Sequence, residues 1–301
     1  MAIPVIAVFD SGVGGLSVAD EIATQLPDAA LAYICDNAFF PYGTKEEGEL
    51  IERVDRVVSQ AVAAIRPDLL VVACNTASTV VLPRLRSRLA IPVIGVVPAV
   101  KPAAARSSKR IIGLLGTPGT VRRAYTQDLI DRFAADCTVL RVGSTELVEM
   151  AEALLAGEAP SLDEVTRVLV PFFDGPAADH PDVIVLACTH FPLLTARLQV
   201  AAPADVAFID SGRAVAERAR LLLERDGFRM KPEARSNFLN DNQVILGDFT
   251  RNYLMMGIDT LPTATPNHQA YFTRDDSGVE RRRSAFASRR FADIFFLTSK
   301  D

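Results

Sequence analysis

Through its first two-thirds the chain repeats one pattern: a short apolar run rich in β-branched residues, a turn of Gly, Ser, Asn or Thr, then a stretch with helical periodicity. Apolar runs without polar alternation suit strands buried on both faces. Strands and helices alternating at this length leave little choice beyond parallel sheets joined by right-handed crossovers. Residues 3–9, 31–35, 69–73 and 93–97 read as strands, with helices over 16–25, over 46–65 and from Thr76. In 46–65, Ile51, Val54, Val57, Val58, Ala61, Val62 and Ile65 share one face. The pattern then restarts, with strands over 111–115, 139–142, 183–187 and 206–209. Helices are expected over 121–133, 146–155, 162–173, 193–200 and 214–224.

A chain of 301 residues, 49% hydrophobic, holds more than one domain usually buries. The expected fold is therefore α/β: two similar domains, each a mainly parallel sheet flanked by helices, with the active site in the cleft between them. From about Gly227 the pattern weakens. Residues 261–267 read as a Pro- and Thr-rich loop. Arg281, Arg282, Arg283, Arg289 and Arg290 read as the solvated face of a terminal helix whose apolar residues are Phe286, Phe291, Ile294 and Phe295. A nucleic-acid patch is the weaker alternative, because acidic residues intervene and no stacking aromatics do. The formal charge of −5 gives no general attraction for nucleic acid or an anionic membrane. No apolar run approaches the roughly 20 residues that span a bilayer, and residues 1–10 do not read as a signal peptide. Cys35, Cys74, Cys137 and Cys188 show no C-x-x-C spacing, so four reduced thiols in a cytoplasmic protein are expected.

In open parallel sheets, ligands bind where strands end and loops lead into helices. Those junctions read Asp10-Ser11-Gly12-Val13-Gly14-Gly15, Cys35-Asp36-Asn37 with Pro41-Tyr42-Gly43, Cys74-Asn75-Thr76, Gly116-Thr117-Pro118-Gly119-Thr120 and Cys188-Thr189-His190. Two match each other: Leu70–Thr76 and Ile184–His190 are each an apolar strand, Ala-Cys, then two hydrogen-bonding residues. Two similar halves facing across a cleft would present one cysteine each to the same ligand. Racemisation needs that arrangement, because a proton leaves one face of a carbon and another arrives on the opposite face. Thiols serve if the site tunes their pKa, ordinarily about 8.5. A Cys at a helix N-terminus also gains from orphan N–H groups, which can bind carboxylates too.

Each feature has a plainer reading. A lone Cys after a buried strand is more often a core residue, as Cys35 and Cys137 are read here. Asp10-Ser11 could simply cap a helix, and His190 could be structural. The Gly12–Gly15 run is too short for a dinucleotide fingerprint. Cys188 and His190 lack the partners of a metal site, with only His180 and His268 elsewhere, so no metal is expected.

The stretches FDSGVGGLSV from Phe9, CDNAFFPYG from Cys35, ACNTAST from Ala73, IPVIGVVPA from Ile91, GTPGTVRRAY from Gly116 and ACTHFPLL from Ala187 resemble, in order, the glutamate racemases of the aspartate/glutamate racemase superfamily. The resemblance covers residues 9 to about 212, ending with Asp210-Ser211. It implies that Cys74 exchanges the proton with D-glutamate and Cys188 with L-glutamate. Asp10 and His190 would assist them respectively, with Glu152 on the second side. Ser11, Tyr42, Gly43, Asn75, Thr76, Thr117, Thr120 and Thr189 would hold the substrate. It further implies no cofactor, neither pyridoxal phosphate nor metal, a homodimer, and supply of D-glutamate for peptidoglycan. The first domain would be discontinuous, 1–99 plus 208–301, and the second would be 100–207. The family's aromatic-Thr-x-Asp segment would be Tyr271–Asp275, making 229–268 an insertion, with Asn237-Phe238-Leu239 as the competing alignment. Alternatives on the same fold are a racemase for another acid such as aspartate and a non-catalytic amino-acid-binding protein. A thiol hydrolase using Cys188 and His190 would leave Cys74 without a task.

Overall fold

The computed structural model describes residues 3–228, 268–273, 277–289 and 291–296. Two parallel sheets organise them. The first has strand order β10-β9-β2-β1-β3-β4, built from β1 (Val5–Asp10), β2 (Ala30–Cys35), β3 (Leu69–Val72), β4 (Val93–Gly95), β9 (His268–Phe272) and β10 (Phe291–Phe296). The second is β6-β5-β7-β8: β5 (Ile111–Gly116), β6 (Thr138–Gly143), β7 (Val183–Ala187) and β8 (Ala207–Ile209). Every pairing in both is parallel. The orders β2-β1-β3-β4 and β6-β5-β7-β8 are the same topology. The expected two-domain α/β architecture is therefore the one observed.

The shared topology decides where chemistry can sit. From β1 the chain crosses to β2 on one side and returns to β3 on the other; from β5 it crosses to β6, then back to β7. Loops leaving β1 and β3, like those leaving β5 and β7, therefore diverge to opposite faces and leave a crevice at the strands' C-terminal ends. Asp10 ends β1 and Cys74 follows β3; Thr117 follows β5 and Cys188 follows β7.

Both faces of each sheet are covered, as the unbroken apolar runs require. On one face of the first sheet, Ile6, Val8 and Tyr33 pack under α1 (Leu16–Gln25) and α10 (Gly212–Arg225), through Leu16, Ile22, Ala219 and Leu223. On the other, Phe9, Leu70 and Val72 meet Val54, Val58, Val81 and Leu85 of α2 (Glu47–Ile65) and α3 (Asn75–Arg88). In the second lobe, Ile184 and Leu186 pack against α7 (Glu146–Leu155) and α8 (Leu162–Phe173). Ile112 and Val185 pack against α4 (Val100–Arg106) and α6 (Ala124–Phe133). Each fully buried Leu, Ile or Val contributes about 1.5–3 kcal/mol, and Leu70→Ala would cost about 2–5 kcal/mol. The short strand β8 spans residues 207–209 and so crosses the 207/208 boundary expected from the resemblance.

Three local expectations differ from the structure. The helix expected over 121–133 is divided into α5 (Pro118–Arg122) and α6 by an extended Arg123. That residue donates through Nη1 to the Thr76 carbonyl and Thr79 Oγ1, both at 2.9 Å, contacts a continuous helix would forgo. The helix expected over 193–200 is a 3₁₀ turn, Phe191–Leu194, followed by α9 (Thr195–Ala201). The terminal helix α11 (Ser277–Ser288) stops before Phe291, and Phe291 to Phe296 form β10 beside β9. Phe286 and Phe291 still share a core, edge-on to Tyr33. Nor is the basic run a uniformly solvated face: Arg281 and Arg283 are exposed, but Arg282 and Arg289 turn inward to carboxylates. Of the insertion expected over 229–268, His268 opens β9 and the rest lies outside the described residues, as do the alternative segment Asn237–Leu239 and Arg290.

Candidate active site

Cys74 ends up as the N-cap residue of α3 because its backbone stays extended while its carbonyl already accepts from Ser78 N at 2.8 Å. The thiol is 5% exposed, and Ser11 Oγ lies 3.9 Å from the sulfur. Burial pushes the Cys74 thiol well above its ordinary pKa, and the neighbouring Asp10 and Cys188 add to it; the Ala77 N–H and Ser11 oppose. Asp10 is fully buried, and its Oδ2 accepts from Gly15 N at 2.8 Å. Burial raises the Asp10 carboxyl, with His190, backbone hydrogen bonds and the Cys74 thiol pulling the other way. Asp10 Oδ1 and Asn75 Oδ1 are buried acceptors without a protein partner, a costly state unless something else is to be bound there.

Cys188 is 6% exposed, and its sulfur lies 3.8 Å from His190 Nδ1. The other ring nitrogen, Nε2, lies 2.8 Å from Glu152 Oε1. Burial pulls the His190 pKa down, but hydrogen bonds and charge from Cys188 and Glu152 outweigh it and hold the imidazole well above its ordinary value. Burial likewise raises Glu152, yet His190, Arg282 and the Val13 N–H leave the carboxyl below its usual range. The second thiol thus belongs to a chain of groups, Cys188–His190–Glu152. That chain meets the first lobe at the loop after β1: Val13 N donates to Glu152 Oε1 at 3.0 Å.

The glycines of that loop now have a reason. A Cβ on Gly12 would stand 2.4 Å from Glu152 Oε1, and one on Gly14 would stand 2.3 Å from His190 Nδ1. Only a bare backbone fits between Asp10 and the opposite lobe. Ser17 adds a further tie, donating through Oγ to the Thr189 carbonyl at 2.8 Å.

The remaining expected residues divide into those that converge and those that do not. Thr76 Oγ1, at the start of α3, lies 3.1 Å from Thr117 Oγ1 and 3.4 Å from Thr120 Oγ1; the last two are 3.0 Å apart. This cluster of hydroxyls crosses the cleft, and Gly43 closes against it, since its Cβ would come within 3.1 Å of Thr117. Tyr42 precedes Gly43 on the same loop, but its buried hydroxyl donates to Asp36 Oδ2 at 2.6 Å. Asp36 also holds Arg53 at 2.5 Å and accepts from Thr273 Oγ1 at 2.6 Å. The segment Tyr271-Phe272-Thr273 therefore docks beside the Cys35–Gly43 loop; Arg274 and Asp275 lie outside the described residues. Cys35 is a core residue, as expected, whereas Cys137 is only partly buried at the edge of the second-lobe core, and all four cysteines are free. Among the described residues no three His, Cys, Asp or Glu side chains cluster to hold a metal, and no helix is long and apolar enough to cross a membrane.

Sequence reasoning missed Ser17, Arg123 and Arg282. Ser17 and Arg123 lie inside the stretches FDSGVGGLSV and GTPGTVRRAY, but past the strand ends where ligand groups are expected. Arg282 belongs to the basic run expected to face solvent.

Two like α/β lobes with a buried thiol at the equivalent strand end of each define an isomerase of the racemase class. A family model for Asp/Glu/hydantoin racemases matches residues 10–219, and the chain belongs to that family. Within it the chain stands with the glutamate racemases. It is 50% identical to that of Sodalis glossinidius (strain morsitans) over 223 residues, 74% of this chain and 76% of the other. It is 46% identical to that of Erwinia tasmaniensis over 253 residues, 84% and 87% of the two chains. The crystal structure of Escherichia coli glutamate racemase in complex with L-glutamate and activator UDP-MurNAc-ala superposes with a TM-score of 0.84. Its identity is 41%, covering 99% of both chains.

Proposed function

We propose that this chain interconverts L- and D-glutamate without a cofactor, by proton transfer between Cys74 and Cys188 on opposite faces of the α-carbon. What carries the reading is the placement of two buried thiols at the equivalent strand ends of two like sheets, each with its own polar support. With D-glutamate the Cys74 thiolate takes the α-proton: an S–H bond forms, the C–H bond breaks, and the electron pair passes into the α-carbon and its carboxylate. The Cys188 thiol then delivers its proton to the other face. One thiol and one thiolate exist before and after, with roles exchanged, and the reverse reaction runs through the same groups.

Asp10, beside Cys74, is the group that takes the thiol's proton to make the base; His190, held by Glu152, does so for Cys188. Asp10 Oδ1 and Asn75 Oδ1 are free to accept from the substrate ammonium. The first N–H groups of α3, with Ser11 and the Thr76, Thr117, Thr120 and Thr189 hydroxyls, suit its carboxylates. Supply of D-glutamate for peptidoglycan, a homodimer and work in the cytoplasm complete the reading.

The test is incubation of purified protein with each enantiomer of glutamate and aspartate, followed by circular dichroism, with chelator and a carbonyl reagent present. Both glutamate enantiomers should be racemised and aspartate far more slowly, since a misplaced carboxylate leaves its donors unpaired. Activity that dialysis against chelator abolishes and metal restores would overturn the cofactor-independent reading.

A further inference from the structure

We infer that Arg282, on the C-terminal helix α11, is a positioning residue for the Cys188 side of the reaction, acting through Glu152 and His190. The inference rests on the two-thiol reading above.

Arg282 Nε lies 2.8 Å from Glu152 Oε2. The other oxygen, Oε1, is the one bound by His190 Nε2 at 2.8 Å and by Val13 N at 3.0 Å. Glu152 therefore has one oxygen hydrogen-bonded to the imidazole and the other in an ion pair with the guanidinium, whose Nε–H is not aimed at it. The Arg282 side chain is 20% exposed and that of Glu152 9%, so the pair is shielded far more than a surface ion pair. A carboxylate buried to this degree tends to protonate or to turn. A second cation on the far oxygen opposes both, and Arg282 is among the groups that hold the Glu152 carboxyl below its usual range. The other titratable groups whose charge bears on it, the Tyr33 hydroxyl and the Cys35 thiol of β2, are raised well above their ordinary values, by burial first, and stay neutral.

The pair also crosses the molecule. The α11 residues Val279 and Phe286 belong to the first-lobe core, whereas Glu152 sits on α7 of the second lobe. Arg282 thus ties the C-terminal segment to the catalytic histidine of the opposite lobe. Among the described residues no Arg or Lys pairs with Asp10, whose charged neighbour is His190. A second inward cation follows the helix for comparison: Arg289 Nε lies 2.9 Å from Asp20 Oδ2 on α1 rather than from a carboxylate of α7.

The asymmetry gives a test that general loosening of the fold cannot imitate. With a glutamate analogue carrying a β leaving group, α-proton removal leads to elimination, which needs only the base on one face. The L-analogue reports on Cys188 and the D-analogue on Cys74. Arg282→Gln should slow elimination from the L-analogue roughly tenfold, the worth of one partly buried ion pair, and leave the D-analogue within twofold. Arg282→Lys should restore most of the L-rate, and Arg289→Ala should leave the ratio of L- to D-rates unchanged. Thermal melts of all three identify any variant that fails to fold, and if Arg282→Gln is one the ratio is read on Arg282→Met, which keeps the apolar stem without the charge. Equal slowing of both enantiomers, or an unchanged ratio in Arg282→Gln, would overturn the inference. Wild-type protein that eliminates neither analogue would instead overturn the two-thiol reading on which it rests.

Discussion

The Cys74 and Cys188 junctions share a topology and a sequence pattern, yet they support their thiols by different means. Cys74 caps a true helix of 14 residues and receives the Ala77 N–H, with Ser11 and Asp10 nearby. Cys188 leads into a 3₁₀ turn, Phe191–Leu194, and α9 begins only at Thr195. In that turn Phe191 N and Leu193 N donate to the carbonyls of Cys188 and His190, three residues back in each case. The helix terminus expected beside both cysteines therefore stands only beside the first. At the second, His190 supplies the positive charge and Glu152 with Arg282 supplies its support. Matching strand ends fix where a catalytic group stands; they leave open what tunes it.

The comparison breaks most visibly if one thiol can do without the other. Cys74→Ala and Cys188→Ala should each abolish racemisation, by at least about 10²–10⁴-fold, since each removes the only acid/base on its face. Neither should much impair folding, because a site thiol contributes less to the core than a buried Leu. With the β-leaving-group analogue, Cys188→Ala should process only the D-enantiomer and Cys74→Ala only the L-enantiomer. The reverse selectivity would show the faces to be exchanged. Substantial racemisation by either single variant would pass the proton-carrying role to another group.

A smaller effect separates the two kinds of support. Glu152 is among the groups that hold the His190 imidazole above its ordinary pKa of about 6.5, so in the wild type the imidazolium persists to higher pH. Removing the anion lets burial pull the pKa back down. In Glu152→Gln the alkaline limb of the L-analogue elimination should therefore move to lower pH, while the D-analogue profile stays in place. Parallel movement of both profiles would mean the two sides are coupled rather than separately tuned.

The close fit of the loop after β1 is open to a steric test. Gly14→Ala places a methyl 2.3 Å from His190 Nδ1, and a buried ring held by Glu152 has little room to yield. Overpacking of this kind costs about 1–3 kcal/mol. The expected outcome is a lower melting temperature together with slower L-face elimination. Unchanged kinetics would show that the loop can withdraw from the opposite lobe.

Much of this was legible in the sequence, for identifiable reasons. Residues 16–25, 146–155, 162–173 and 183–187 were read with the bounds the structure has, because their periodicity or apolar continuity is uninterrupted. The paired thiols were legible because two local patterns repeat. What could not be read depends on residues distant in the chain. The break at Arg123 exists because its guanidinium finds Thr76 and Thr79. Tyr42 is turned to Asp36 by a network that also includes Arg53 and Thr273. Arg282 looked like solvent-facing charge because its partner, Glu152, lies across the cleft.

The smallest effect concerns the hydroxyls that line only the Cys74 side. Thr76, Thr117 and Thr120 bond one another across the two lobes, and Thr117 Oγ1 also caps α5 by accepting from Thr120 N at 3.3 Å. If these hydroxyls serve only each other, Thr117→Val removes a cap and one member of the cluster, costing about 0.5–2 kcal/mol of stability and leaving KM alone. If they hold the substrate carboxylate, the same variant also loses about 0.5–1.5 kcal/mol of binding, a KM increase of roughly two- to tenfold with kcat little changed. Stability and KM measured on the one variant separate the two roles. Since the cluster touches Thr76 at the start of α3 and no element of the Cys188 relay, the KM increase should be the same for both glutamate enantiomers, because both must place that carboxylate in one position while the α-proton changes face. An effect confined to one enantiomer would mean that the substrate shifts between the two half-reactions, and that the lobes divide binding as well as proton transfer.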